Sequence, residues 1–478
     1  MTAARSAGRR GSRRVRLPDT AAGFVRSVNP ATEEVLAVFE LHSGGAVEAA
    51  LDRASRMARR WRDVPLETRA DVLRKVAVTL RAERTRWASL ITLEMGKPIA
   101  QAEAEIDKCA KTCEYYAEHG ESFLRRQVVQ TSAKESYVAY EPLGVVLAIM
   151  PWNFPFWQVL RFAAPALLSG NAVILKHAAN VPQSALGVEA VLTNAGLPPG
   201  VFQTLLIPGS QVGRLLEDDR IQAVTITGST EVGREVASTA GRNLKKQVLE
   251  LGGSDPFVVL ADADVELAAA SAARARNQNN GQSCIAAKRF IVVDEVADDF
   301  VERFSRAVSE LKLGDPMERS IDVGPLARAD LRDALARQVE RSVAAGAHVM
   351  VGAASQPGRG FFYQPTVLDR VQPDMDAFRE ETFGPAAAVA RVQNEAAAIA
   401  LANATPFGLG ASLWTADTEK AKRLAQEVEA GSVFVNEIVA SDPRMPFGGI
   451  KASGYGRELG EFGIREFTNI KTVWIQGS

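Results

Sequence analysis

Three side chains in this sequence have the types and neighbours that acyl chemistry needs. Cys284 closes the run Asn279-Asn280-Gly281-Gln282-Ser283-Cys284. A thiolate is a strong nucleophile, and reactive thiols sit in polar, accessible loops rather than apolar stripes. A lone cysteine taken by itself is more often an inert core residue; the amides and Gly281 around this one weigh against that. Such a nucleophile needs a base. The one histidine downstream, His348, falls at a helix-to-strand join, so a carboxylate fits better. Glu250 stands in Leu249-Glu250-Leu251-Gly252-Gly253, at the end of an apolar run and before two glycines that permit a sharp turn. A partly desolvated carboxylate there has a raised pKa and suits a general base; a surface glutamate before a hinge would look the same. Asn153, in Pro151-Trp152-Asn153-Phe154-Pro155, is held in a loop stiffened by two prolines. Its amide could donate to an oxyanion, or simply cap a rigid turn.

A fourth feature is a turn. Residues 221–226 read as a strand running into Gly228-Ser229, with Gly233 opening a helix. Helix N-termini present backbone N–H groups to phosphate. The spacing is G-x-x-x-x-G rather than the usual dinucleotide G-x-G-x-x-G, so a tight turn without a ligand stays open.

Elements must hold these residues together. Apolar spacing predicts helices over 46–60, 69–94 (Val72, Leu73, Val76, Leu80, Trp87 and Leu90 in phase) and 100–122. Short apolar runs at 143–150, 172–175, 201–207, 221–226 and 256–260 read as strands alternating with helices, hence a largely parallel sheet. Runs at 289–293 and 431–435 point to a second α/β domain after about residue 250. The polar–apolar alternation of 132–141 reads as an exposed β-arm.

The chain has 478 residues and a formal net charge of -1, which argues against nucleic acid as the main partner. Residues 1–18 carry six arginines and no acid. They read as a disordered basic tail or an upstream start, with an arginine-rich transit peptide as the other possibility. No apolar run is long enough to span a membrane. The cysteines are Cys109, Cys113 and Cys284, too few for a disulfide framework. None lies beside a histidine, so no metal site is expected, and a reducing, cytoplasmic compartment fits.

Together these segments resemble the aldehyde dehydrogenase superfamily, in the order that family uses. Further matches are Lys176 after a strand, Glu381-Thr382-Phe383-Gly384-Pro385 and Pro446-Phe447-Gly448-Gly449. The resemblance runs from about residue 26 to the end. It implies an α/β, aldehyde dehydrogenase-like fold: a Rossmann-like cofactor domain (23–123 and 143–248), an α/β catalytic domain (249–440) and a small β oligomerisation arm (124–142 and 455–478), after a basic tail over 1–22. It also implies NAD or NADP as cofactor, a small aldehyde as substrate, and a homodimer or homotetramer with no nucleic-acid or membrane partner. Cys284 would attack the aldehyde, Asn153 would hold the oxyanion, and Glu250 would activate water against the thioester. Trp152, Lys176, Ala179, Gly228, Ser229, Gly233, Leu251, Glu381 and Phe383 would contact the cofactor.

Within the superfamily the chain is most similar to bacterial succinate-semialdehyde dehydrogenases, through residues 175–182 and 250–257. Arg161 then stands where such enzymes bind the substrate's distal carboxylate, a group that a guanidinium matches in a fork; a helix-surface ion pair is the competing reading. Two positions depart from the pattern. Gln278 replaces a second substrate arginine, leaving the carboxylate to Arg161 and groups such as Ser441, and keeping another short aldehyde such as glutarate semialdehyde in view. Ala179 replaces a ribose-binding glutamate, so a 2′-phosphate is not repelled and NADP use is expected alongside NAD. Ala286 and Ala287 offer no cysteine partner to Cys284, so no local disulfide control is expected. The rivals are a Cys-dependent acyl transferase or hydrolase without nicotinamide, and an inactive scaffold on the same fold.

Overall fold

The computed structural model describes residues 23–477; the basic tail expected over 1–22 lies outside them. Strands β1 (Phe24–Val28) and β2 (Val35–Glu40) form an antiparallel hairpin. Four helices follow, α1 (Gly44–Trp61), α2 (Leu66–Ala82), α3 (Arg84–Met95) and α4 (Ile99–Leu124). The helix expected over 69–94 is two, because the backbone leaves the helical region at Glu83 (φ -106°, ψ 18°). The in-phase residues Val72, Leu73, Val76, Leu80 and Trp87 are buried across that break. Strands β3 (Gln127–Val128) and β4 (Glu135–Pro142) leave this helical layer as an arm.

The next five strands are β5 (Val145–Met150), β6 (Ala172–His177), β7 (Phe202–Thr204), β8 (Ala223–Thr227) and β9 (Lys246–Glu250). They alternate with α5 (Trp157–Leu168), α6 (Pro182–Asn194), α7 (Val212–Glu217) and α8 (Thr230–Arg242). The strand expected over 201–207 is shorter than its apolar run. After Thr204 the chain still bonds Leu175 through the Leu205 N–H, but the Leu206 carbonyl then accepts from His42 instead of continuing the ladder.

All five strands are parallel, in the spatial order β9-β8-β5-β6-β7. The chain runs outward from β5 to β7, then returns to place β8 on the other side of β5. That is a topological switch point, and in open α/β sheets ligands bind in the crevice beyond the carboxyl ends of the strands flanking it. The carboxyl end of β5 carries Pro151–Pro155. The carboxyl end of β8 carries Gly228-Ser229. Fold topology alone therefore brings two of the sequence motifs to one crevice.

A second sheet of seven strands supplies the rest: β10 (Pro256–Val259), β11 (Arg289–Val293), β12 (His348–Val351), β13 (Thr366–Asp369), β14 (Ala386–Val392), β15 (Gly410–Trp414) and β16 (Ser432–Val435). Its order is β12-β13-β14-β11-β10-β15-β16, parallel except at β12. Helix α9 (Val265–Asn277) leads from β10 into the loop that carries Cys284. Of the C-terminal segment, β17 (Gly454–Tyr455) pairs with β9 at the edge of the first sheet, and β18 (Thr468–Ile475) pairs with β4 in the arm. The chain thus crosses back over the crevice before leaving for the arm. Among the described residues no helix is long and apolar enough to cross a membrane.

Candidate active site

The residues before Cys284 do not adopt relaxed backbone. Asn279 and Asn280 have φ of +56° and +57°, and Gly281 has +70°. Asparagine tolerates this left-handed region better than other side chains with a Cβ. Gly281 is further required because a Cβ there would lie 2.3 Å from the carbonyl carbon of Gly384. The strain is held by bonds on every side. Asn280 Nδ2 donates to the carbonyls of Gly96 (2.7 Å) and Pro325 (2.9 Å), and its Oδ1 accepts from Gly324 N (2.7 Å). Asn279 Nδ2 donates to the carbonyls of Asn153 and Gln282, both at 2.9 Å. Asn153 Nδ2 donates in turn to Gln282 O at 3.1 Å. The loop after β5 and the loop before Cys284 are therefore one hydrogen-bonded unit. A primary amide has two N–H donors, so Asn153 keeps one beyond the bond to Gln282.

Lys288, four residues after the cysteine, fixes the other side. Fully buried, its Nζ donates to the carbonyls of Ser283 (3.1 Å), Cys284 (2.8 Å) and Ala286 (3.2 Å) and lies 3.7 Å from Glu381 Oε1. Glu381 Oε1 also accepts from Gly253 N at 3.0 Å. One lysine thus ties the cysteine loop to the Glu381 motif and the glycine pair after Glu250. Nothing in its sequence context marked it, since a lysine before a strand is commonplace.

Cys284 is half-buried at the junction of two cavities. One, of about 380 Å³, is lined by Trp152, Asn153, Gly228, Ser229, Leu251, Gly252, Glu381 and Phe383. The other, of about 180 Å³, is lined by Arg161, Gln278, Ser441, Lys108, Trp157 and Phe447. Gln158 and Cys284 face both. A thiol at such a junction can react with a molecule in one cavity while a second molecule waits in the other.

The larger cavity has the build of an anion-and-ring site. Ser229 caps α8 by accepting from Val232 N (3.4 Å), so the helix begins at Thr230 and its first N–H groups face outward at the cavity wall. Gly233 does not open the helix; it lies in the first turn. A Cβ at Gly233 would meet Leu251 Cδ2 at 2.3 Å, so this glycine serves helix-to-strand packing. Gly228 differs: a Cβ there would touch nothing nearer than Ile226 at 3.8 Å. Packing does not require that glycine, and its bare backbone leaves room for a ligand to approach closely. Trp152 and Phe383 meet edge to face at 5.7 Å across the same space. Farther along, Lys176 lies on β6, one residue before the strand's end, and Ala179 two residues past that end. Ala179 is exposed beside a small hollow it shares with Ala178, Pro182 and Pro208. Burial lowers the Lys176 pKa.

The smaller cavity is walled by α4 and α5. Every residue of α5 is buried, including Gln158 and Arg161. Arg161 is therefore not on a helix surface. Its Nε pairs with the buried carboxylate of Glu458, and its guanidinium lies 4.7 Å from the centre of the Phe447 ring. The mouth of α5 is held from α4: Glu105 Oε1 accepts from the N–H groups of Phe156 (2.9 Å) and Trp157 (3.0 Å), and its Oε2 pairs with the buried Lys97. From the other side, His177 Nε2 meets Pro155 O at 2.9 Å, and burial pushes its pKa down to about 4.

Of the three residues expected to carry the chemistry, Glu250 is the one that the structure holds apart. It ends β9, is buried without a hydrogen-bond partner for either oxygen, and lines neither cavity. A Cβ at Gly448 would lie 2.7 Å from its Oε1, so the carboxyl rests against the Gly448 backbone. Burial raises its pKa well above the carboxylate range, and the neighbouring Glu458 raises it further, against the pull of Arg161 and Arg457. Burial likewise raises Glu458. Two carboxyls share one buried guanidinium, which favours a proton on at least one of them. Burial also pushes the Cys284 thiol up to about 12, with Arg161 and Lys288 opposing. Burial therefore favours the neutral form of both groups.

Residues 18–473 match the family described as the Aldehyde dehydrogenase family. A protein of Synechocystis sp., named a probable succinate-semialdehyde dehydrogenase, NADP(+), is 52% identical over 94% of this chain and 99% of its own. The Escherichia coli succinate semialdehyde dehydrogenase, NAD(P)+, is 48% identical over 95% of this chain and 98% of its own. Among solved structures, the succinic semialdehyde dehydrogenase of Streptococcus pyogenes in complex with NADP+ superposes with a TM-score of 0.93 at 36% identity, covering 95% of this chain and 100% of that one.

Proposed function

This chain belongs to the aldehyde dehydrogenase family, and from that premise we propose that it oxidises succinate semialdehyde to succinate with NADP, accepting NAD as well. The observation that carries the substrate is the smaller cavity: a buried arginine, Arg161, and a serine, Ser441, line the same cavity as Cys284. An aldehyde with a carboxylate at its far end would reach both. Relatives about half identical carry that substrate in their names.

The chain's own residues divide the work as follows. Cys284 gives its thiol proton to solvent as Sγ bonds to the aldehyde carbon, and the free N–H of Asn153 with the backbone N–H of Cys284 receives the oxygen as it gains charge. The residues lining the larger cavity would hold a nicotinamide dinucleotide, which would supply the hydride acceptor. Loss of hydride from the carbon on Sγ leaves a thioester on Cys284. Glu250, once its carboxyl has left its buried site and released its proton to solvent, takes a proton from water as the oxygen attacks the thioester carbon, and the acid leaves as the thiolate is restored. This last role requires the Glu250 carboxyl to turn from Gly448 toward Cys284. Gly228 and Ser229 with the start of α8 would hold the pyrophosphate, Lys176 and the open flank at Ala179 the adenosine ribose and a 2′-phosphate, and Glu381 the nicotinamide ribose.

Steady-state kinetics on succinate semialdehyde, glutarate semialdehyde, butanal and acetaldehyde, each with NAD and NADP, test the reading. The kcat/KM for succinate semialdehyde should exceed that for butanal about 100-fold, the scale of charge-assisted hydrogen bonds. Faster turnover of acetaldehyde than of succinate semialdehyde would sink it.

The arm supports a homo-oligomer. On the β18-β4-β3 sheet Val128, Ile470 and Trp474 are exposed at 72%, 63% and 52%, and apolar edge strands of this kind require a cover. Sedimentation should show a dimer or tetramer, and Trp474→Lys should shift it toward monomer; a monomeric parent at micromolar concentration would refute this.

A further inference from the structure

The smaller cavity holds two cationic side chains, and their charges are balanced differently. The Arg161 guanidinium already faces Glu458. Of the two carboxyl side chains that line the cavity, Glu105 is paired with Lys97 and with two backbone N–H groups, and Asp255 accepts from Gly410 N at 3.1 Å. Lys108 has no ion-pair partner among the described residues. Its Nζ donates to Ser441 Oγ at 2.7 Å and sits over the Trp157 ring at 4.4 Å, both uncharged groups. A half-buried ammonium with two N–H donors left over is costly unless an anion completes it. The position follows from helical spacing: Gln101, Ala104, Glu105 and Lys108 lie three or four apart on α4, and all four line the cavity. The exposed Gln278, across the same space, brings no charge.

We propose that Lys108, from α4, is the second cationic anchor for the distal carboxylate of the substrate, acting with Arg161 and with Ser441, whose hydroxyl it orients. The inference rests on the reading that the substrate is a carboxylated aldehyde, and it makes Lys108 a specificity-determining residue. The amine of Lys108 is pushed down to about 8 by burial and by Arg161, while Cys109 and Glu105 on its own helix and Asp442 on the loop after β16 hold it up. It is therefore mostly cationic at pH 7 and loses its charge as the pH rises to 9.

The test is the ratio of kcat/KM for succinate semialdehyde to that for butanal, which has four carbons and no carboxylate. In Lys108→Met the ratio should fall about 10- to 100-fold, mainly through KM, and Lys108→Arg should restore at least part of it. In the parent enzyme the ratio should fall between pH 7 and 9, and in Lys108→Arg it should stay flat; this arm decides the matter if Lys108→Met does not fold. A ratio in Lys108→Met within about twofold of the parent, or a parent ratio that does not change with pH, overturns the role of Lys108 and leaves the substrate reading intact. A parent ratio at or below one overturns both.

Discussion

Alanine at position 284 is expected to lower kcat by about 10⁴-fold or more, the loss seen when a covalent nucleophile is removed, while NADPH still binds with a Kd within about twofold. Cys284 is the thiol that reaches both cavities. Cys109 and Cys113 are fully buried inside α4, where burial raises both thiols, so neither can substitute. The sign of the pH dependence follows from the burial that holds the Cys284 thiol near 12. The resting thiol is protonated at neutral pH, and the thiolate fraction grows with each rise in pH. Alkylation by iodoacetamide should therefore be slow at pH 7, accelerate steadily toward pH 10, and stop at one adduct per chain. Residual activity above about 1% in Cys284→Ala would mean that the chemistry does not pass through this sulfur.

The slow alkylation expected at neutral pH agrees with how the loop is built. Lys288 spends its donors on three backbone carbonyls around the cysteine and stays 3.7 Å from Glu381. It shapes the loop, and its partial pull on the thiol is outweighed by desolvation. The positive-φ pair Asn279 and Asn280 turns the chain so that Gln282 O meets the Asn153 amide. Strained backbone of this kind persists only where its surroundings over-determine it, and here the carbonyls of Gly96, Pro325 and Asn153 do so.

Much of this site could be read from residue types because the groups that line its cavities announce themselves. Cys284, Asn153, Gly228 and Glu381 interrupt apolar periodicity with amides, glycines and a carboxylate, and strands between helices imply a parallel sheet whose switch point would collect them. What could not be read is the set of contacts that hold those groups. Glu105 reaches the α5 N-terminus 51 residues away in sequence, and Glu458 meets Arg161 from beyond β16. Such partners depend on tertiary closeness and leave no local pattern. Lys108 was hidden for the same reason: on a helix that reads as amphipathic, a lysine reads as solvent-facing, and only the fold shows that α4 turns this face to the cavity. Gly233 erred in the opposite direction. Its spacing resembled a phosphate loop, but Leu251 fills the space beside it.

Glu250→Gln is expected to form one NADPH per active site in a burst and then stall, with steady-state kcat lowered about 10²- to 10⁴-fold, the range for loss of a general base. Glutamine keeps the shape and removes the proton acceptor. Attack by Cys284 and hydride loss need neither Glu250 oxygen, so the thioester should form and persist, and denatured protein should carry one acyl group by mass. The variant should also be no less stable than the parent. Buried and unpartnered, Glu250 has a raised pKa, so the folded state holds a proton that the unfolded chain releases above about pH 4.5. Ionising it therefore erodes stability as pH rises. The melting temperature of Glu250→Gln should match the parent below that pH and exceed it increasingly above. The two readouts separate two roles. A burst with stalled turnover places Glu250 on thioester hydrolysis. Loss of the burst itself, at unchanged stability, would instead make Glu250 the group that deprotonates Cys284, and unimpaired steady-state turnover would exclude it from both. The retracted carboxyl against Gly448 favours the first outcome: a neutral carboxyl held away from the thiol while the aldehyde binds does not repel the thiolate, and it comes into use once it turns toward the acylated Cys284 and ionises.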